Sequence, residues 1–215
     1  IGCCGSLDHH LGKNDLARET FKKNILIWHE EYLKNGLDAI ISNTSGCGTT
    51  LKDYGFIFRW DDDLKKKAKK ISELTKDISE YLDENVKLNF IKNKENIKGY
   101  KIAYHSACSM QHGQKIHDVP MNLIKKTGNK VFDIPQGHFC CGSAGTYNLL
   151  QNDIAEKLLK NKISNINKIN PEFIATGNIG CITQIANGTR IPILHTVEVI
   201  DWYTGGPKPK VLRHL

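Results

Sequence analysis

Seven cysteines, Cys3, Cys4, Cys47, Cys108, Cys140, Cys141 and Cys181, are the residues of this chain whose type and spacing can do chemistry. Two pairs are adjacent, and each opens the same tetrapeptide, CCGS, at 3–6 and at 140–143. Adjacent thiols suit neither a core nor a disulfide, because neighbouring side chains leave the backbone in different directions. As thiolates, gathered cysteines repel one another until a cation neutralises them, and Zn2+ and iron–sulfur clusters are the usual answers. Two neighbours cannot easily share one zinc ion, whereas they can reach different irons of a larger cluster. Gly142, after the second pair, admits an unusual backbone angle and close approach to an inorganic core. An odd number of cysteines also argues against disulfides, which would leave one thiol over. No secretory signal is visible, so the expected compartment is a reducing cytosol, where clustered cysteines bind metal or do redox work.

The elements between the cysteines have to bring them together. Ala17, Phe21, Ile25, Trp28 and Tyr32 recur at spacings of three and four, which predicts a helix over 15–34, with Asn14 and Asp15 as N-caps and Gly36 as the stop. DAIIS (38–42) reads as a short buried strand, and NTSGCGTT as a small-residue turn that opens another helix. Residues 62–83 read as one lysine-rich helix with Leu64, Ala68, Ile71, Leu74 and Ile78 on one face. The polar stretch NKENIKG (93–99) reads as a linker between a unit at 1–98 and a unit at 99–215. Beyond it, strands at 100–105, 130–134, 172–176 and 192–195 alternate with helices at 118–126, 153–167 and 179–187. The inward row of the second of these helices is read as Ala155, Leu158, Leu159, Ile163 and Ile166. Such alternation means a parallel sheet with helices on both faces. TGGPKPKVLRHL (204–215) reads as a flexible end.

The halves also echo each other: CCGS twice, NDLA (14–17) with NDIA (152–155), and LDAIISNTSGC with EFIATGNIGC. The expected fold class is therefore α/β, with two duplicated units whose parallel sheets are flanked by helices and related by a pseudo-twofold. The first copy lacks the strand that should precede Cys3, and the chain opens without methionine. Both features point to an upstream segment.

In a parallel sheet the loops leaving the carboxyl ends of the strands lie along one edge. Cys108 follows the strand ending at His105, Cys140 and Cys141 follow the strand ending at Ile134, and Cys181 follows the strand ending at Thr176. Those four thiols are expected to meet. His195 ends the last strand on the same edge, as a fifth ligand or as a donor to one. His105 and His138 flank the ligand loops, and His9 and His10 follow the first CCG. Cys141 with His138 would be the alternative, a nucleophile and its base. GCGTTLK lacks the phosphate-loop spacing, and GNIG is not a dinucleotide fingerprint.

Cys108, then Cys140-Cys141-Gly142, then Cys181 resembles the pattern of the cysteine-rich CCG domain family. That family includes the B subunit of heterodisulfide reductase and the iron–sulfur subunits of glycolate oxidase, lactate utilisation and anaerobic glycerol-3-phosphate dehydrogenase. HFCCGSAGTYNLLQNDIAEKLLKNKISNI and CCGSLDHHLG…SGCGTTLKDYG are most similar to the glycolate oxidase type. The resemblance implies an iron–sulfur site, with Cys108, Cys140, Cys141 and Cys181 as ligands of the one complete site and Cys3, Cys4 and Cys47 as remnants of, or partners in, a second. His195, His105, His138, Asn178 and Gly142 would surround them. The family's full motif offers five thiolates to a non-cubane cluster; the four of the second unit are compatible with a [4Fe–4S] cluster, with zinc as the alternative. The resemblance also implies a non-catalytic electron-transfer subunit between an FAD-containing dehydrogenase subunit, acting on glycolate or lactate, and a membrane quinone, placed in the cytoplasm at the inner face of the cell membrane. The family's C-x-x-C is reduced here to Asn178-x-x-Cys181 and Thr44-x-x-Cys47, and its ferredoxin run is absent. Two other readings stand beside this one: a heterodisulfide or thiol–disulfide reductase subunit, which would draw on five thiolates per site, and a zinc-stabilised scaffold.

Composition sets outer limits. The chain of 215 residues is 40% hydrophobic and 25% charged, with a net charge of +7. Its lysines are spread along polar helix faces, as in DDDLKKKAKKISE (61–73), without an arginine stripe or aromatic platform, which argues against nucleic acid. No apolar run approaches the ~20 residues of a transmembrane segment.

Overall fold

In the computed structural model, which describes residues 2–91 and 99–214, the chain divides into two units, Ile1–Ile78 and Ser79–Leu215. The first contains α1 (Ser6–His10), α2 (Asn14–Asn35), β1 (Ile40–Ser42), α3 (Ser45–Ile57), α4 (Lys65–Leu74) and β2 (Thr75–Asp77). Ala17, Phe21 and Ile25 of α2 bury the stripe their spacing predicts, against Leu51, Tyr54 and Phe58 and against Leu64, Ala68 and Ile71. Gly36 ends α2 with φ 77°. The N-cap is Lys13 rather than Asn14 or Asp15, and no side chain caps that end. The supposed turn NTSGCGTT is largely helix, since α3 already begins at Ser45.

The single helix expected over 62–83 is broken. α4 stops at Leu74, and Thr75–Asp77 forms a strand parallel to β1, with Ile40 opposite Thr75 and Ser42 opposite Asp77. Thr75 donates its hydroxyl to the Ile71 carbonyl (2.8 Å), and burial then alternates through Thr75, Asp77 and Ser79. The buried residues of this strand are polar, so period-two burial left no apolar signature. Leu74 and Ile78, four apart, imitated a helical face instead.

The second unit holds α5 (Ile78–Asn85, opening at the boundary), β3 (Lys101–His105), α6 (Asp118–Lys126), β4 (Lys130–Asp133), α7 (Tyr147–Leu150), α8 (Asn152–Ile169), β5 (Phe173–Thr176), α9 (Ile179–Ala186), β6 (Ile193–His195) and α10 (Thr196–Thr204). A π-helical turn, Ser109–Gln114, follows β3. The four strands are all parallel in the order β4-β3-β5-β6. Alternate residues serve opposite faces. Ile102, Tyr104, Phe173 and Ala175 join Val199, Trp202 and Tyr203 of α10 on one side. Ala103 and Ile174 join Met110, Ile166, Ile185, Cys141 and Cys181 on the other. The expected α/β class with parallel sheets flanked by helices is what the chain adopts.

Two features depart from expectation at the ends of this unit. The polar stretch 93–99, and with it the boundary after residue 98, lies outside the described residues apart from Gly99. The tail at 204–215 is not a loose end: a 3-10 turn, Lys210–Leu212, carries Leu212 into the α10 core with 0% exposure. One apolar anchor among Gly, Pro and Lys has no period to read. Among the described residues, no helix is long and apolar enough to cross a membrane.

Leu212→Ala should therefore cost about 2–5 kcal/mol, the usual range for emptying a buried leucine site. The check is a lower urea midpoint at unchanged slope; a free tail would stay within about 0.5 kcal/mol.

Candidate metal centre

The strand order creates the site. The chain leaves β3 for β4 on one side and leaves β5 for β6 on the other, so the carboxyl ends of neighbouring β3 and β5 bound a crevice, the usual binding place of such a sheet. Cys108 stands at the start of the turn after β3, Cys140 and Cys141 in the loop after β4, and Cys181 in the first turn of α9 after β5. A ring nitrogen of His105 and the sulfurs of Cys141 and Cys181 lie within 4.8 Å of one another, all three residues buried. Cys108 and Cys140 are partly buried, and all seven cysteines are free thiols.

The thiols titrate as one network. Cys108 first, then Cys141, offer their S–H groups to Cys140 and draw its thiol far below the ordinary range, with the Gly142 N–H at 3.3 Å helping. Cys141 does the same for Cys181, against the opposing effect of burial and with His105 assisting. Cys108 and Cys141, as the donors, are pushed up.

Local chemistry holds the loops in place. Gly142 has φ 98°, and a Cβ there would come 2.5 Å from the Ala155 carbonyl oxygen on α8, so only glycine lets this loop lie against that helix. Asn178, where the family carries a further cysteine, caps α9 and accepts hydrogen bonds from Gly180 N (2.8 Å) and Cys181 N (3.3 Å). It aims Cys181. His195 caps α10: its Nδ1 accepts from Val197 N (3.1 Å), and its own N–H donates to the Glu198 carboxylate (2.7 Å). One of its nitrogens is thus committed to the cap. His138 is exposed with its ring against Phe139, centroids 4.4 Å apart, and Cys141 meets Cys140 and Cys181 instead. The nucleophile–base pair has no support in this arrangement.

An inorganic group can be tested against what is left unsatisfied. His105 is 2% exposed, and its ring faces the sulfurs of Cys141 and Cys181. Among the described residues, Ser106 Oγ and Thr176 Oγ1, buried at the same edge, make no hydrogen bond, and Thr176 stands in register with His105. Leaving buried polar atoms unpaired costs about 1–3 kcal/mol each. Four thiols, an imidazole facing two of them and two unsatisfied hydroxyls at one strand edge fit a thiophilic metal or iron–sulfur group.

One residue of the site escaped the sequence reading. Lys162 of α8 is 1% exposed, and its Nζ donates to the Gly137 carbonyl at 3.4 Å. The buried row of α8 is Ala155, Lys162, Asn165, Ile166 and Ile169, whereas Leu158, Leu159 and Ile163 are only partly buried. A hydropathy pattern sets lysine outside; the available signal was position, seven residues after Ala155 and four before Ile166.

The first unit gathers its cysteines in a similar way. Cys4 Sγ donates to Cys47 Sγ at 3.0 Å, which raises the Cys4 thiol and lowers Cys47 to about 7. The Gly5 N–H points at Cys3 Sγ (3.4 Å), the counterpart of the Gly142–Cys140 contact. Tyr54 donates its hydroxyl to the Cys4 carbonyl (2.7 Å) and Asn24 its amide to the Cys3 carbonyl (2.9 Å), which pins the loop. His9 packs on Phe21 and on His10.

Comparison with known proteins agrees with this construction. The family model described as a cysteine-rich domain matches residues 1–52 and 102–186. The chain is 36% identical over 201 residues to the glycolate oxidase iron-sulfur subunit of Escherichia coli (strain K12), covering 93% of this chain and 48% of that protein. It is 25% identical to lactate utilization protein A of Geobacillus sp. (strain WCH70), covering 93% and 82%, and 29% identical to the probable glycolate oxidase iron-sulfur subunit of Bacillus subtilis (strain 168), covering 86% and 41%. The chain thus spans about half the length of the glycolate oxidase subunits it matches. With the paired cysteines, their glycines and the strand-end geometry all in place, the chain belongs to the CCG cysteine-rich domain family.

Proposed function

We propose that this chain is an iron–sulfur electron-transfer subunit of a 2-hydroxy acid oxidising system, with Cys108, Cys140, Cys141 and Cys181 holding a [4Fe–4S] cluster, one cysteine to each iron. Such a cluster accepts and passes on one electron at a time. The residues of the chain do the rest. Cys140 and Cys181 offer thiolates at low proton cost, and burial of Cys141 and Cys181 keeps water from that side. His105 would donate its ring N–H to the sulfur of Cys181, steadying that thiolate as a ligand. No side chain is assigned to the hydroxy acid: glycolate or lactate would be oxidised on an FAD-containing partner, and the electrons would pass on toward a membrane quinone. Cys3, Cys4 and Cys47 would serve a second centre, one centre to each of the units 1–98 and 99–215.

The observation that carries this reading is the buried cluster of Cys141, Cys181 and His105, with Cys108 and Cys140 interacting with it from two other strand ends. The names of the relatives agree with it. Asn178 weighs against a disulfide-reducing cluster, since the place of a fifth thiolate is taken by a helix cap.

Anaerobic purification with iron, zinc and acid-labile sulfide analysis tests the proposal. Roughly four irons and four sulfides are expected for each filled site. Cys108→Ser and Cys181→Ser should each abolish or strongly reduce that content. Zinc without sulfide would leave only the scaffold reading. Gly142→Ala should lower stability by about 1–3 kcal/mol through its positive φ and reduce iron retention as the cysteine loop moves off α8; thermal unfolding and iron content read both.

A further inference from the structure

Lys162 is a charged side chain buried with no counter-charge from the acidic residues. Among the described residues no carboxylate reaches it, and its contact with the Gly137 carbonyl is long at 3.4 Å. It projects from the same face of α8 that places the Ala155 carbonyl against Gly142, so it stands behind the cysteine loop. Burial lowers its ammonium below the usual lysine range, while Cys141, Cys140, Cys181 and Cys108, in that order, oppose the shift. A lone buried ammonium is unfavourable, and four gathered thiolates are unfavourable; each relieves the other.

We propose that Lys162 is the built-in counter-ion of the centre in the second unit, favouring its thiolate ligands and, of its two oxidation states, the more negative one. The inference rests on the reading that this site holds an iron–sulfur cluster. In the couple nothing binds or leaves. One electron enters from dithionite through a mediator dye, the charge of the centre falls by one, and Lys162 keeps its proton throughout. Lys162 is a positioning residue, since it acts on the cluster through its field and not as a ligand.

The experiment compares the wild-type chain, Lys162→Met and Lys162→Arg, each loaded anaerobically with iron and sulfide and titrated redox-potentiometrically by electron paramagnetic resonance. Lys162→Met should be harder to reduce, by about tenfold in the reduced-to-oxidised ratio at fixed potential, which is 59 mV for a one-electron couple. Lys162→Arg should stay near wild type. Denaturant unfolding supplies a second readout. Without iron, Lys162→Met should unfold close to wild type, because removing the buried charge offsets the loss of its attraction to the thiols, and it should gain less on loading. An unshifted potential in loaded Lys162→Met overturns the proposal. So does an iron-free Lys162→Met that is clearly destabilised or unfolded, which would make the lysine a structural strut. Loss of loading in Lys162→Met restored by Lys162→Arg supports the proposal, and loss in both overturns it. A wild-type chain that takes up neither iron nor sulfide fails the functional reading first, a result distinct from all of these.

Discussion

Mutual repulsion among thiolates is the constraint that the second unit is organised to meet. Its sheet order brings the ends of β3 and β5 side by side and turns the chain away on both flanks, so the loops after three strands empty into one crevice. Everything around that crevice offers positive character to sulfur. The Gly142 N–H points at Cys140, Cys181 sits in the first turn of α9, the His105 ring stands beside Cys141 and Cys181, and Lys162 is buried behind the loop. A helix amino terminus and a nearby cation both favour thiolate over thiol.

The same devices recur in the first unit at smaller scale. A positive-φ glycine follows the cysteine pair, its N–H meets the first sulfur, and the third cysteine sits in the first turn of the helix after a strand. The supports differ in kind. Tyr54 and Asn24 tie the loop of the first unit by its carbonyls, and the sheet behind it has two strands rather than four. The cap differs too, since Thr44 leaves the start of α3 without a side-chain hydrogen bond, where Asn178 makes two at α9.

In the second unit the site and the core are one structure. Cys141 and Cys181 belong to the same buried cluster as Met110, Ile166, Ile174 and Ile185. Filling the centre and packing that face of the sheet are therefore coupled, as is general where ligands must leave water to bind. Cys108 and Cys140 are the less buried of the four.

Much of this was legible in the order of residues. Short apolar or β-branched runs located β3 to β6, and three-and-four spacing located α2, α6 and α8, to within a few residues, although β3 and β5 are buried on both faces and β4 is largely exposed. The doubled CCG motif marked the place in each unit where cysteines from distant parts of the chain gather. Where burial and hydropathy part company, the chain alone misled. β2 buries Thr75 and Asp77, Leu212 is a single anchor in a Gly, Pro and Lys tail, and Lys162 occupies an apolar row. His195 and His105 look alike as strand ends, and only the fold decides that one caps a helix while the other faces the sulfurs of Cys141 and Cys181. Local pattern records which face a residue serves when that face is apolar. Which polar groups are buried together, and which of them lack partners, is set by the strands and helices that meet from distant parts of the chain.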